Sequence, residues 1–183
     1  MERIKLNEMI KISMMTVFIV ICAWITIPFT VPFTMQTFGI FLSLMLLGGR
    51  NGTISIIIYI LLGIIGLPVF SGFNSGIGCI MGPTGGYIAG FVLCGLIYWM
   101  ITDRINKTAV QYIALAAGLI VCYIVGTLWF IYIGTEVGDT GFVQAFAVCV
   151  LPYIPFDILK LFLAGYIVKK TKKFVVKQNY IGG

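Results

Sequence analysis

The chain has 183 residues, 60% of them hydrophobic and 10% charged, and its mean hydropathy is +1.09. Soluble domains are about a quarter charged, and apolar runs long enough to span a bilayer recur along the whole length, so neither an ordinary soluble body nor a cleaved leader ahead of one accounts for the composition. The net charge of +6 does not call for a nucleic-acid partner, because the basic residues fall almost entirely between apolar runs and read as orientation signals in a lipid bilayer.

Apolar runs set against Gly and Pro breakers predict six segments: 9–27, 33–47, 53–66, 83–101, 109–134 and a last one ending near Lys169. The expected fold is an all-α integral membrane protein with one transmembrane domain over 1–183. Arg3 and Lys5 precede the first segment and Lys11 stands in its first turn, Arg50 follows the second, Arg104 and Lys107 follow the fourth, and Lys169, Lys170, Lys172, Lys173 and Lys177 follow the sixth. Cytoplasmic loops collect Lys and Arg, so this alternation predicts that both termini are cytoplasmic. The opposite loops, 28–32, 67–82 and 135–141, contain no Lys or Arg, and the last carries Glu136 and Asp139.

The first external loop reads "IPFTVPFTMQTF", where prolines, threonines and Gln36 alternate with aromatics. That composition suits a lid over an apolar site, and equally an interfacial aromatic belt. The third segment is short of the roughly 20 residues a span needs, and "LPVFSGFNSGIGCIMGPTGGY" follows it, uncharged and dense in glycine. Irregular backbone at membrane depth must be buried in protein or line a cavity, which implies a pocket open to the outside. Asn74 lies in the middle of this stretch, with a side chain that both donates and accepts; a turn-forming surface Asn is the other reading. Of the Gly-xxx-Gly pairs, Gly86 and Gly90 fall on a helix and suit close helix packing, while Gly72, Gly76, Gly78 and Gly82 read as loop.

In the last segment Pro152 and Pro155 should separate "GFVQAFAVCV" from the final helix, which then starts near Pro155. Asp157 and Lys160 sit in its first two turns. Charges inside a membrane segment cost about 2.5–3.5 kcal/mol each on insertion scales, and their default reading is functional; a self-neutralising ion pair at i and i+3 is the alternative. Lys160 is the one basic residue of twelve that the orientation pattern leaves unused.

Absences narrow the chemistry. The chain has no histidine, which removes the usual general base and the H-E-x-x-H zinc site, and no GK[ST], which removes the P-loop. The five cysteines form no C-x-x-C pair, so neither a disulfide nor a metal site is inferred. What remains is a pocket for a small polar ligand with an apolar portion.

"VPFTMQTF" (31–38), "GLPVFSGFNSGIGCIMGPTGGYIAGF" (66–91) and "LPYIPFDILK" (151–160) together resemble the BioY family, the biotin-specific S components of energy-coupling factor (ECF) transporters. The match runs in order through the chain. The resemblance implies an ECF S-component-like bundle of six transmembrane helices in a prokaryotic cell membrane, with irregular outer loops lining the ligand pocket. It further implies capture of biotin from outside, and association with an energy-coupling transmembrane subunit and two ABC-type ATPases. No cofactor and no catalytic residue of its own are expected. Asp157 and Lys160 match the family's D-x-x-K, Asn74 its glycine-rich loop, Tyr87 its G-G-Y, and Thr34, Gln36 and Thr37 the segment that closes over the ligand.

One departure concerns the first helix. S components often carry small-xxx-small patterns there for the coupling subunit, whereas here Ser13 is followed by Val17 and Ile21. Asp157 is expected to accept a ureido N–H of biotin, while Lys160 either donates to the ureido oxygen or reaches the carboxylate. The competing functional readings are an S component for a different vitamin, an intramembrane enzyme using Asp157 and Lys160 as acid and base, and a structural membrane scaffold.

Overall fold

The computed structural model describes residues 6–28, 31–105, 107–133 and 141–181, with the side chains of 142 and 172–181 excepted. Arg3, Lys5, Glu136 and Asp139 thus lie outside the described residues. Helix α1 (Leu6–Trp24) runs into a short hairpin of β1 (Thr26–Ile27) and β2 (Phe33–Thr34), followed by α2 (Gln36–Leu47), α3 (Gly49–Ile64), a 3-10 turn at Ser71–Phe73, α4 (Ile77–Met81), α5 (Gly85–Thr102), α6 (Thr108–Tyr132), α7 (Phe142–Cys149) and α8 (Ile154–Ile181). The hairpin is antiparallel, with Thr26 opposite Thr34 and Ile27 opposite Phe33.

Among the described residues, three helices are long and apolar enough to cross a membrane: α1, α5 and α6. A fourth span arises if α7 and α8, bent by 48° at the break between them, count as one. The break falls where Pro152 sits, since a proline removes a backbone donor and clashes with the preceding turn. Helices α2 and α3, of 12 and 16 residues, would rise only about 18 and 24 Å. The loop expected between them is a single residue, Gly48, at φ 82°, so Arg50 stands in the first turn of α3 rather than in a loop.

Glycine brings the central helices close. A Cβ on Gly86 would lie 2.2 Å from Trp129 Cβ, and one on Gly90 2.9 Å from Cys122 Cα, so both seat α5 directly on α6, as the pair's spacing predicts. Gly118 and Gly126 return the fit from α6 against Cys94 and Tyr87. The glycine-rich stretch after α3 is more ordered than the sequence indicates: Gly78 lies on the short helix α4, with Gly76 at its N-cap.

The outer surface is apolar. Met14, Val17 and Ile21 on α1, Ile113, Ile120 and Leu128 on α6, and Leu159, Phe162 and Tyr166 on α8 are exposed, as a bilayer-facing exterior requires. Ser13 is exposed too, its hydroxyl donating to Met9 O at 3.0 Å. Between α1 and α3, where packing is tight, Thr16 Oγ1 donates to Ser55 O at 3.2 Å.

Candidate functional site

A concavity opens at one end of the bundle, lined by the hairpin, the start of α2, the 3-10 turn, α4, α5, α6 and the turn into α8. It encloses a cavity of about 100 Å³, and about 800 Å³ of atom-free space when its open mouth is counted. Arg50 and Asp103 line a separate hollow at the other end, where α2 meets α3 and α5 ends. Of the residues lining the first concavity, Asp157 and Lys160 are the charged ones; the second has Glu8 beside Arg50 and Asp103.

Helix α8 explains how those two reach the pocket. Asp157, Lys160, Leu161, Ala164 and Val168 are buried while Leu159, Phe162 and Tyr166 are exposed, a spacing of three and four residues that puts the charges on the inward stripe. Lys160 Nζ lies 2.8 Å from Asp157 Oδ1, and both side chains are more than nine-tenths buried. The two residues are thus an ion pair and line the concavity at the same time.

Neighbours complete the circuit. Thr37 Oγ1 donates to Asp157 Oδ1 at 2.7 Å and accepts from Lys160 Nζ at 3.1 Å. The Tyr123 hydroxyl donates to Asp157 Oδ2 at 2.5 Å. Lys160 gives its third donor to Thr34 O at 2.7 Å and stands 4.4 Å from the centre of the Phe33 ring, in cation–π range. An ammonium has three N–H groups, and all three are engaged. A carboxylate offers about four acceptor sites; Asp157 fills three of them among the described residues, leaving one on Oδ2.

The hairpin is fastened over this site. Besides the Lys160 contacts, the Tyr153 hydroxyl donates to Val31 O, Phe33 stacks on Tyr153 with centroids 6.0 Å apart, and Met35 N donates to Ile25 O at 3.0 Å. Thr34 Oγ1 accepts from Gln36 N at 3.2 Å, so its side chain orders the start of α2 while its carbonyl meets the lysine. Gln36 is buried and donates from Nε2 to the Tyr59 hydroxyl at 2.9 Å, and Tyr59 packs edge-on against Phe70.

The opposite wall is less satisfied. Tyr87 lines the pocket, yet its buried hydroxyl meets hydrogen-bond geometry with no protein atom, and neither does that of Thr127. Asn74 reaches the mouth, where it is exposed and its Nδ2 donates to Ser71 O at 2.8 Å. It therefore serves the turn and the rim together. That turn places Gly72 at φ 68° and Phe73 at φ 60°, with the Phe73 ring 5.0 Å from that of Trp24.

All seven residues singled out from the sequence (Thr34, Gln36, Thr37, Asn74, Tyr87, Asp157 and Lys160) line the same concavity. Tyr123, Tyr59 and Tyr153 were not singled out. Tyr123 follows the buried period of α6 through Leu119, Cys122, Gly126 and Phe130, but a tyrosine on an apolar helix face is usually core or interface.

A family model described as the BioY family matches residues 1–177. The chain is 36% identical over 174 residues to "Biotin transporter BioY" of Thermotoga maritima, covering 94% of this chain and all of that protein. It is 38% identical over 142 residues to "Probable biotin transporter BioY" of Pyrococcus horikoshii, covering 78% of this chain and 81% of the other. Among solved structures, the S-component for biotin from an ECF-type ABC transporter superposes with a TM-score of 0.80 at 27% identity, over 93% of this chain and 95% of that one.

Proposed function

The chain belongs to the BioY family, and from that premise we propose that it is the biotin-binding S component of an ECF-type importer. It takes biotin from outside the cell and delivers it through an energy-coupling transmembrane subunit driven by two ABC-type ATPases. In this reading α1, α2, α3, α5, α6 and α8 all lie across the membrane of a prokaryotic cell, both termini are cytoplasmic, and the pocket faces out.

The observation that carries the proposal is the buried Asp157 carboxylate, held in place by Thr37, Tyr123 and Lys160 with one acceptor site unfilled. A ureido N–H is a donor that such a site accepts without adding charge, in a charge-assisted hydrogen bond. The sulfur-bearing bicycle then lies against Phe70, Phe91 and Tyr153, which line the same space. Tyr87, whose hydroxyl meets hydrogen-bond geometry with no protein atom, and Gln36 supply further polar contacts, Asn74 serves the mouth, and Thr34 and Lys160 hold the hairpin above the ligand. That engagement of the acid and base with protein groups supports a binding role over acid–base catalysis.

The test is mass spectrometry of small molecules released from the purified protein, joined to calorimetric titration with biotin in detergent. Biotin is expected in the released fraction, with tight binding on titration. Recovery of a different vitamin, or no heat with biotin, would overturn the assignment.

A further inference from the structure

The charge balance of the pocket bears on which end of the ligand it reads. Asp157 and Lys160 are the charged residues lining it, and at 2.8 Å they neutralise one another. Lys160 has no donor to spare, its three N–H groups being given to Asp157 Oδ1, Thr34 O and Thr37 Oγ1. A ligand carboxylate seated on Lys160 would have to displace one of these. Displacing Asp157 removes the carboxylate's counter-charge, displacing Thr34 O removes one of the hairpin's fastenings, and displacing Thr37 Oγ1, the longest of the three at 3.1 Å, breaks the link between acid and base; in every case two negative groups then share one ammonium in an apolar enclosure, where an unpaired charge is costly.

The mouth offers an easier place. Its rim carries Ser71 and the exposed Asn74, polar and open to water, where a carboxylate keeps its hydration. Biotin's carboxylate stands roughly 10 Å from its ureido group by bond-length reckoning, far enough for the head to meet Asp157 while the tail ends outside.

We infer that the protein reads the bicyclic head and leaves the carboxylate unread, so that it also binds uncharged biotin derivatives, the esters and amides. This inference rests on the biotin assignment. The experiment is competition against labelled biotin on the purified protein in detergent, using biotin methyl ester and biotinamide. Both are expected to compete within tenfold of biotin; a larger loss for either overturns the inference while leaving the biotin assignment standing. Absence of biotin binding itself would instead overturn the assignment beneath it. Lys160→Met supplies a second readout: the ratio of ester to acid affinity should match that of the unaltered protein, and a variant that loses affinity for the acid while keeping it for the ester would assign the carboxylate to Lys160.

Discussion

The two walls of the pocket handle buried polarity in opposite ways. On the α8 side, Asp157, Lys160, Thr37 and the Thr34 carbonyl close a circuit in which every lysine donor is used. On the α5 side, the buried Tyr87 hydroxyl faces Thr127 of α6 and the Cys149 thiol but meets hydrogen-bond geometry with neither. A fully satisfied network rigidifies, whereas an unpaired buried group costs free energy that only an incoming partner recovers. The first wall is therefore rigid and offers one vacant acceptor site, on Asp157 Oδ2, whereas the second keeps the hydrogen-bonding capacity of the Tyr87 hydroxyl in reserve.

The largest expected effect comes from opening the circuit. Lys160→Met leaves Asp157 buried without its counter-charge, and breaking such a pair costs about 3–5 kcal/mol. Thermal unfolding in detergent should show a markedly lower midpoint, and Asp157→Asn combined with Lys160→Met should recover most of it. A double variant no more stable than the single one would remove the ion pair from the account. Tyr123→Phe comes next: it deletes one hydrogen bond to an ionised group, worth about 1.5–3 kcal/mol. Stability should fall, with weaker biotin binding as the carboxylate loses its orientation; unchanged values in both would mean that the bond to Oδ2 is dispensable.

The smallest effect on the fold, and the sharpest test of the contrast, belongs to Tyr87→Phe. Removing an unpaired hydroxyl should change stability by less than about 1 kcal/mol in either direction, since no protein hydrogen bond is lost. Biotin affinity should nevertheless drop several-fold in calorimetry. If the variant loses stability and keeps its affinity, the walls have been assigned the wrong way round.

Much of this site is legible in the sequence because membrane insertion makes charge conspicuous. Asp157 and Lys160 stand out in an apolar helix, and Pro152 marks where α7 and α8 part. Of the stretches free of Lys and Arg, 67–82 supplies Phe70, Ser71, Asn74 and Cys79 to the pocket lining. The partners of the charged pair are less visible. Tyr123 and Tyr59 sit at ordinary helical core positions and gain their roles only when helices 34 and 23 residues away in sequence bring Asp157 and Gln36 to them. The hairpin strands have two residues each, too few for alternation to register. Gly48 hides a turn so tight that the sequence reads it as the start of a loop.

The link from Lys160 to Thr34 O joins residues 126 positions apart. During synthesis, then, the hairpin emerges long before Tyr153 and Lys160, the side chains at the entry of α8 that tie it down. A chain halted short of them leaves the chamber's cover untethered on that side, however many helices precede it.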